Sequence, residues 1–247
     1  MKKKIKGKGY NKGDTYEDKI ANILKEKKLL PKEYERAGAS DKADVEIKTK
    51  NKVFKIEIKA DQNADYGQKY LKWSKKDGWT WVKDDNITKM YSEIKIIDNY
   101  IKKDFIPKKF TKNKDKISNS DKKYDQSKFE KPDINIPLQV LFDYYAEKNI
   151  YYMQLEKSGF YHLRKDINNL GTLQFNGKIS LRLRAKTINS TKKNYYTNKE
   201  GKKIRENTGI PTPWNYGFLA VIKMRTKPTS SKYDIEELDG REFPPFN

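Results

Sequence analysis

The 247-residue sequence contains no cysteine and only one histidine, His162. Without cysteine there are no disulfides, thiolate zinc sites or cysteine nucleophiles, and the default compartment is intracellular. A single histidine excludes chemistry that needs paired imidazoles. This removes zinc hydrolysis by a His-Glu-x-x-His motif and histidine-metal nuclease sites.

Long apolar segments are also missing. The longest uncharged apolar run covers residues 218–222, far short of the roughly 20 residues that a membrane span needs. The N-terminal run Met1-Lys2-Lys3-Lys4 has the charge of a signal peptide, but no apolar region follows it. We therefore expect a soluble cytoplasmic protein with no membrane association.

Positive charge is in large excess. The chain has 55 Lys+Arg against 34 Asp+Glu, which gives a formal net charge of +21 at pH 7. Such a charge favours a polyanionic partner, because each Lys or Arg placed at a phosphate releases counterions. The alternative is compositional: only seven of the basic residues are Arg, and richness in Lys, Asn, Ile and Tyr is what an AT-rich genome imposes on any protein.

A helix is predicted to begin near Asp14, because the apolar residues that follow it recur at helical spacing. Glu17 lies on the same face as Ile20 and Leu24, where a carboxylate needs a partner or a metal. Its simpler role is the acidic member of a capping box with Asp14. Both readings of Glu17 remain open from the sequence.

A β-hairpin is predicted next. Residues 44–48 and 53–60 alternate between apolar and charged side chains, and a polar Lys50-Asn51-Lys52 turn separates them. One face of the hairpin is therefore apolar, and the other carries acids and lysines.

The rest of the chain gives a coarser pattern. We expect a short helix over 65–76, a strand over 79–82, one amphipathic helix over 90–101 and a helix over 138–148. Strands are expected near 150–155, 159–164, 179–188 and 216–226. The Lys-, Asp-, Ser- and Asn-rich segment 107–131 predicts a solvated or partly disordered loop, and the acidic segment 234–239 predicts a solvated surface.

The candidate catalytic residues are Asp44, Glu57 and Lys59. Glu-x-Lys is a common pattern in this chain and occurs at six glutamates. Only Glu46 and Glu57 fall on predicted strands, where period-two geometry points Glu and Lys the same way. Only Glu57 also has an acid, Asp44, at the start of a preceding antiparallel arm, so the hairpin brings two carboxylates together.

Two close carboxylates repel unless a cation lies between them, and oxygen ligands suit Mg²⁺ or Mn²⁺. A bound divalent ion polarises a phosphate and generates hydroxide, and Lys59 would orient the water or stabilise phosphoryl charge. The alternative is a surface hairpin whose acid and lysine pairs contribute little.

These residues resemble the PD-(D/E)XK nucleases and, among them, the type II restriction endonucleases. The resemblance covers roughly residues 13–103. It rests on Gly13-x-x-Tyr16-Glu17, the segment Gly38-Ala39-Ser40-Asp41-Lys42-Ala43-Asp44-Val45, Ile56-Glu57-Ile58-Lys59-Ala60 and Tyr66-Gly67-Gln68. Ala43 departs from the family pattern, in which Pro precedes the Asp. The chain also contains the pair Pro132-Asp133, but no Glu-x-Lys follows it closely, so we do not assign it to the motif.

The resemblance implies an α/β (α+β) fold with a mixed central sheet flanked by helices. It also implies that Asp44, Glu57 and Lys59 are catalytic, with Asp44, Glu57 and the Ile58 carbonyl as ligands of Mg²⁺, for which Mn²⁺ can substitute. Glu17 would help to hold a second metal, and Gln68 would lie near the site.

The second half of the chain is predicted to bind DNA. One strand alternates apolar and basic residues and presents Arg182, Arg184 and Lys186 on one face, and Arg can bind guanine edges bidentately. A solvated sheet face or phosphate contacts alone are the alternatives. The further candidates are Arg164, Lys192, Lys193 and Arg205; the last three lie in a polar segment, 191–205, that either wraps DNA or is mobile. His162 and the tryptophans Trp73, Trp79 and Trp81 are expected to be structural.

We therefore predict a single nuclease domain over 1–247. The catalytic core is expected at 13–103, completed by about 137–155, with DNA-recognition elements at about 156–226 and a mobile basic loop at 107–131. The predicted function is that of a type II restriction endonuclease: Mg²⁺-dependent cleavage of double-stranded DNA at a short specific sequence by a homodimer, with a cognate DNA methyltransferase as functional partner. The alternatives are a structure-selective resolvase or repair nuclease of the same fold, and a non-catalytic basic nucleic-acid-binding protein.

Overall fold

The computed structural model describes residues 12–34, 43–61, 63–198, 200–201 and 203–246. These residues form a mixed α+β fold, as the sequence predicted. The family-like segment Gly38 to Lys42 lies outside the described residues. The helices are α1 (Lys12–Glu26), α2 (Asn86–Glu93), α3 (Ile96–Tyr100), α4 (Lys108–Thr111), α5 (Asn119–Phe129) and α6 (Leu138–Glu147).

The strands include all of those that the sequence predicted. They are β1 (Val45–Lys48), β2 (Val53–Lys59), β3 (Asp65–Ser74), β4 (Gly78–Trp81), β5 (Lys131–Asn135), β6 (Tyr152–Leu155), β7 (Gly159–His162), β8 (Leu173–Gln174), β9 (Lys178–Thr187), β10 (Thr191–Thr197), β11 (Lys203–Pro211) and β12 (Tyr216–Thr226). No helix among the described residues is long and apolar enough to cross a membrane.

Two compact units interleave along the chain. Unit 1 comprises residues 1–66, 135–180 and 223–247, and unit 2 comprises 67–134 and 181–222. The division of the sequence into a catalytic core and DNA-recognition elements stays a prediction.

Unit 1 is built on a mixed sheet with the strand order β1-β2-β6-β7-β8. Strands β1 and β2 are antiparallel, and β6 extends this hairpin as a parallel neighbour of β2. Helix α1 packs against β2, because its apolar residues Tyr16, Ile20, Ala21 and Leu24 fall on one stripe. This stripe meets the apolar face of the hairpin, where Phe54 and Ile56 are fully buried.

A second five-stranded sheet lies largely in unit 2 and has the order β4-β3-β12-β9-β5. The prediction of a helix over 65–76 is wrong, because residues 65–74 form strand β3. Its partner β4 is antiparallel and sets Trp73 opposite Trp79 and Leu71 opposite Trp81. Cross-strand pairing of these large side chains outweighs the local pattern that favoured a helix. Trp79 is buried, as expected.

The helix predicted over 90–101 is two helices. Helix α2 ends at Glu93, and Lys95 adopts a left-handed conformation with φ of 51° before α3 begins. This break turns Ile96 into the interior, whereas a continuous helix through Ile94 and Ile97 would point Ile96 away from their face.

The prediction of a loop over 107–131 is also wrong. The segment contains α4, a 3-10 turn at 114–116 and α5, which starts with a capping box between Ser118 and Asp121. Asp125 on α5 is fully buried. It accepts hydrogen bonds from the backbone N–H groups of Lys108 (2.8 Å) and Lys109 (3.0 Å) and from the Tyr216 hydroxyl (2.7 Å).

We expect Asp125→Ala to destabilise the protein by about 2–3 kcal/mol, because it leaves buried donors without an acceptor. The measurement is urea-induced unfolding of the variant beside Asp115→Ala, an exposed acid of the same segment. Equal unfolding midpoints for the two variants would contradict this account of how the segment is ordered.

The acidic segment 234–239 is not a solvated surface throughout. Asp234 and Ile235 are fully buried. Asp234 accepts a hydrogen bond from the Gln154 side chain at 2.8 Å, and the Arg241 guanidinium lies 3.6 Å from its other carboxylate oxygen. Partners that are distant in sequence therefore bury an acid that the local sequence marked as exposed.

Candidate functional site

Asp44, Glu57 and Lys59 come together at one end of the β1-β2 hairpin. The register pairs Val45 with Ile56, so Asp44, one residue before β1, lies beside Glu57. The backbone N–H of Ile58 donates a hydrogen bond to Asp44 Oδ2 at 2.7 Å. The hairpin register therefore sets the two acids at paired positions, and the hydrogen bond from the Ile58 N–H holds the carboxylate of Asp44 in place.

Glu57 and Lys59 form a buried ion pair. Their side chains are 9% and 15% exposed, and Lys59 Nζ lies 2.5 Å from Glu57 Oε1. The Tyr145 hydroxyl donates to the same oxygen at 3.1 Å. The pair is thus held by period-two geometry on β2 and by a hydroxyl from α6.

The charges in this cluster shift the pKa values of Asp44 and Lys59. Burial and the neighbouring charge of Glu57 raise the pKa of Asp44 to about 7, although Lys59 acts in the opposite direction. Burial alone would lower the pKa of Lys59, but the carboxylates of Glu57 and Asp44 outweigh it and raise that pKa above its usual value. Lys59 therefore stays charged at neutral pH, and Asp44 carries an unfavourable charge that a nearby cation would stabilise.

Glu17 lies on α1, half-buried, and its charge also raises the pKa of Asp44. Glu17, Ile58 and Lys59 line a cavity of about 420 Å³, whose wall also includes Lys12 and Lys223. Asp44 and Glu57 are not among the described residues that line it. Lys12 pairs with Asp61 at 2.7 Å and Lys223 with Asp65, so these two lysines, like Lys59, have acidic partners.

The donors at this end of the hairpin that suit a divalent cation are the carboxylates of Asp44 and Glu57; the resemblance would add the Ile58 carbonyl. Mg²⁺ is often held by one or two protein carboxylates and several waters, so this set is sufficient. Within the described ranges, no three His, Cys, Asp or Glu side chains form a metal-binding group by themselves. Two carboxylates at paired positions of one hairpin are the arrangement that favours a cation here.

Sequence reasoning missed two tyrosines beside the site. Tyr145 contacts Glu57 from α6, and the Tyr66 ring centre lies 5.7 Å from Lys59 Nζ. Tyr145 follows Glu57 by 88 positions and lies on a helix whose pattern indicates only packing. No motif in the sequence signals either contact.

The remaining predicted residues lie on other elements. Gln68 lies half-buried on β3 in unit 2. Arg164 follows β7, is exposed and pairs with Asp143 at 3.1 Å. The neighbouring His162 has Nδ1 2.9 Å from the Thr172 carbonyl oxygen, which agrees with a structural role.

The predicted basic strand is β9. Arg182 and Arg184 are half-buried and Lys186 is exposed, and they alternate with buried Leu181, Leu183 and Ala185. The predicted loop at 191–205 is a second hairpin, β10-β11, which carries Lys192, Lys193 and Arg205. All six of these basic residues lie in unit 2.

No protein-family model matches the chain. No curated protein matches it. Among solved structures, the chain is similar to HhaI endonuclease in complex with DNA, at 15% sequence identity and a TM-score of 0.40, over 86% of this chain and 92% of that chain.

Proposed function

We propose that the protein is a Mg²⁺-dependent endonuclease that cuts double-stranded DNA at a short specific sequence, as type II restriction endonucleases do. The observation that carries the proposal is the cluster of Asp44, Glu57 and Lys59, in which two acids and a buried lysine are held at one end of a hairpin. A surface hairpin with ordinary ion pairs would leave these side chains exposed.

Asp44, Glu57 and the Ile58 carbonyl would hold the metal. When bound, it would polarise a phosphate oxygen and lower the pKa of a bound water. Lys59 would donate a hydrogen bond to the attacking water or to a phosphoryl oxygen, where its charge stabilises the developing negative charge. Glu57 holds Lys59 in place, and Tyr145 holds Glu57, before the substrate binds. This lowers the entropic cost of positioning Lys59 for the reaction.

Duplex DNA is the proposed substrate because of the distribution of positive charge. The chain carries a net charge of +21, and strand β9 presents Arg182, Arg184 and Lys186 on one face. Arginine reads guanine edges and also binds phosphates, so this face serves sequence readout in the proposal. A restriction enzyme of this kind would have a cognate DNA methyltransferase as its functional partner.

Cleavage of both strands of a symmetric site is most simply performed by a two-fold dimer. We therefore expect light scattering to give the mass of a homodimer bound to one duplex. A monomer bound to DNA would contradict this part of the proposal.

The experiment for the function is a digestion of unmethylated phage and plasmid DNA with Mg²⁺ or with EDTA. The wild type is compared with Asp44→Ala and with Glu46→Gln, a control acid on the same hairpin that pairs with Lys48 at 3.1 Å. Discrete Mg²⁺-dependent bands that disappear only in Asp44→Ala are the expected result.

Other outcomes separate the alternatives. Smeared products with the same dependence on Mg²⁺ and Asp44 would indicate a nonspecific or structure-selective nuclease, and a branched-against-linear competition would then identify a resolvase or repair enzyme. Retarded but intact DNA under every condition would indicate a non-catalytic binding protein.

A further inference from the structure

The hairpin β10-β11 has an exposed, two-sided surface. It forms a two-stranded sheet with no third strand among the described residues. Tyr195 and Tyr196 are 57% and 51% exposed. A two-stranded ribbon is only marginally stable in water on its own, so contact with a partner would stabilise it.

The strand register sorts the ribbon into two chemically different faces. Tyr195 is paired with Arg205, Lys193 with Asn207 and Thr197 with Lys203. Directly paired residues point to the same side and alternate with their neighbours. One face, called here the basic face, therefore carries Lys193, Tyr195, Thr197, Lys203, Arg205 and Asn207.

The opposite face has a different composition. It carries Asn194 paired with Glu206, and Tyr196 paired with Ile204. Within the paired region 193–197 and 203–207, the basic residues all fall on one face and the single acid falls on the other. The segregation follows from the register and is not visible as a block of charge in the sequence.

The chemistry of the basic face fits duplex DNA. Lys193, Lys203 and Arg205 are suited to phosphates, and Arg and Asn are the side chains that read guanine and adenine edges. The side chain of Arg205 donates a hydrogen bond to Asn189 at 2.9 Å, which orients its guanidinium. The whole segment 191–211 has six basic and two acidic residues, so its charge complements a polyanion.

Shape distinguishes DNA from RNA as the partner. The major groove of B-DNA is about 12 Å wide and admits a two-stranded β-ribbon. The major groove of A-form RNA is too narrow for side chains to read.

We propose that the β10-β11 ribbon inserts into the major groove of duplex DNA with its basic face toward the bases and phosphates. This inference rests on the proposed function and adds the surface that binds DNA and the groove that it enters. It concerns binding alone and is tested separately from catalysis. Lys192 lies where the register is irregular and is not assigned to the basic face.

The test compares neighbouring residues that differ only in the face they occupy. The binding of a fluorescent 30-base-pair duplex is measured in EDTA, so that no cleavage takes place, over a series of salt concentrations. The variants are Tyr195→Ala and a Lys193→Gln/Lys203→Gln double variant on the basic face, with Tyr196→Ala and Glu206→Gln as controls on the opposite face.

We expect the double variant to bind 10- to 100-fold more weakly and to reduce the slope of log affinity against log salt by about 2, because two phosphate contacts are lost. Tyr195→Ala is expected to weaken binding about tenfold, and both controls to change it less than twofold. Equal effects on the two faces, no effect on either face, no binding by the wild type, or equally tight binding of duplex RNA or single-stranded DNA would each overturn the proposal.

The binding result and the digestion described above fail independently. A protein that binds through the basic face without cutting would overturn the proposed function and leave the ribbon inference standing. If the protein cuts DNA and all four variants bind the duplex as tightly as the wild type, the ribbon inference is overturned and the proposed function stands. Thermal unfolding of each variant, matched to the wild type, ensures that the loss of binding is not a loss of fold.

Discussion

Replacing Asp44 by Asn is expected to abolish DNA cleavage and, at the same time, to stabilise the metal-free protein. Under the proposed function the variant loses a metal ligand, and we expect a fall of at least about a thousandfold in the single-turnover cleavage rate. The stability effect has a separate cause, which is the buried charge that Asp44 carries beside Glu57.

The sign of the stability effect follows from the pKa of Asp44. Folding raises it from an ordinary acidic value to about 7, so the folded state holds this proton more tightly than the unfolded state does. Stability from this group is therefore present below about pH 4 and is lost as the pH rises to about 7. Asn carries no charge, so at pH 8 the variant avoids this loss.

The measurement is thermal unfolding in EDTA at pH 8 and at pH 5. We expect Asp44→Asn to unfold about 5 °C above the wild type at pH 8, which corresponds to about 2 kcal/mol, with a smaller difference at pH 5. Glu46→Gln, on the same hairpin, is expected to match the wild type at both. A lower midpoint for Asp44→Asn at pH 8 would contradict the electrostatic description of the site.

Lys59→Met should lose both activity and stability. The substitution keeps most of the apolar stem but removes the charge that faces two buried carboxylates. Breaking a buried pair by removing one partner costs about 3 kcal/mol, because the other charge is left uncompensated. We also expect cleavage to fall about a hundredfold or more, since Lys59 no longer stabilises charge on the reacting phosphate.

The chain provides a matched control in Lys48→Met. Glu46 and Lys48 repeat the Glu-x-Lys pattern on β1, but Lys48 is 73% exposed and its ion pair spans 3.1 Å. An exposed pair contributes little, so we expect a stability change under about 0.5 kcal/mol and unchanged cleavage. Urea unfolding and single-turnover cleavage are the measurements, and equal losses in the two variants would remove the distinction between Glu46 and Glu57.

The sequence predicted that Asp44, Glu57 and Lys59 come together because the hairpin is specified locally. Period-two alternation fixes which side chains share a face, and the polar turn at 50–52 fixes the register that sets Asp44 beside Glu57. A further contact to the cluster comes from a distant part of the chain. Tyr145 reaches Glu57 from a helix 88 positions later, and its helical pattern carries no sign of this contact.

The errors in the predicted fold have the same physical origin. Segment 65–76 is a strand because β4 pairs with it, and 107–131 is ordered because Asp125 links the start of α4 to Tyr216 on β12. Both outcomes depend on partners that are distant in sequence or in another element. Local patterns of charge and hydrophobicity do not encode such partners.

The most direct test of the central claim is calorimetric titration of the protein with Mn²⁺ at pH 6 and at pH 8. If Asp44 and Glu57 form a metal site, the wild type binds about tenfold more tightly at pH 8, because the proton on Asp44 no longer competes. Asp44→Asn and Glu57→Gln should lose this binding, and Glu46→Gln should retain it with the same pH dependence. Binding that is absent in the wild type, or unchanged in Asp44→Asn, would contradict the assignment of these residues as a metal-dependent nuclease site.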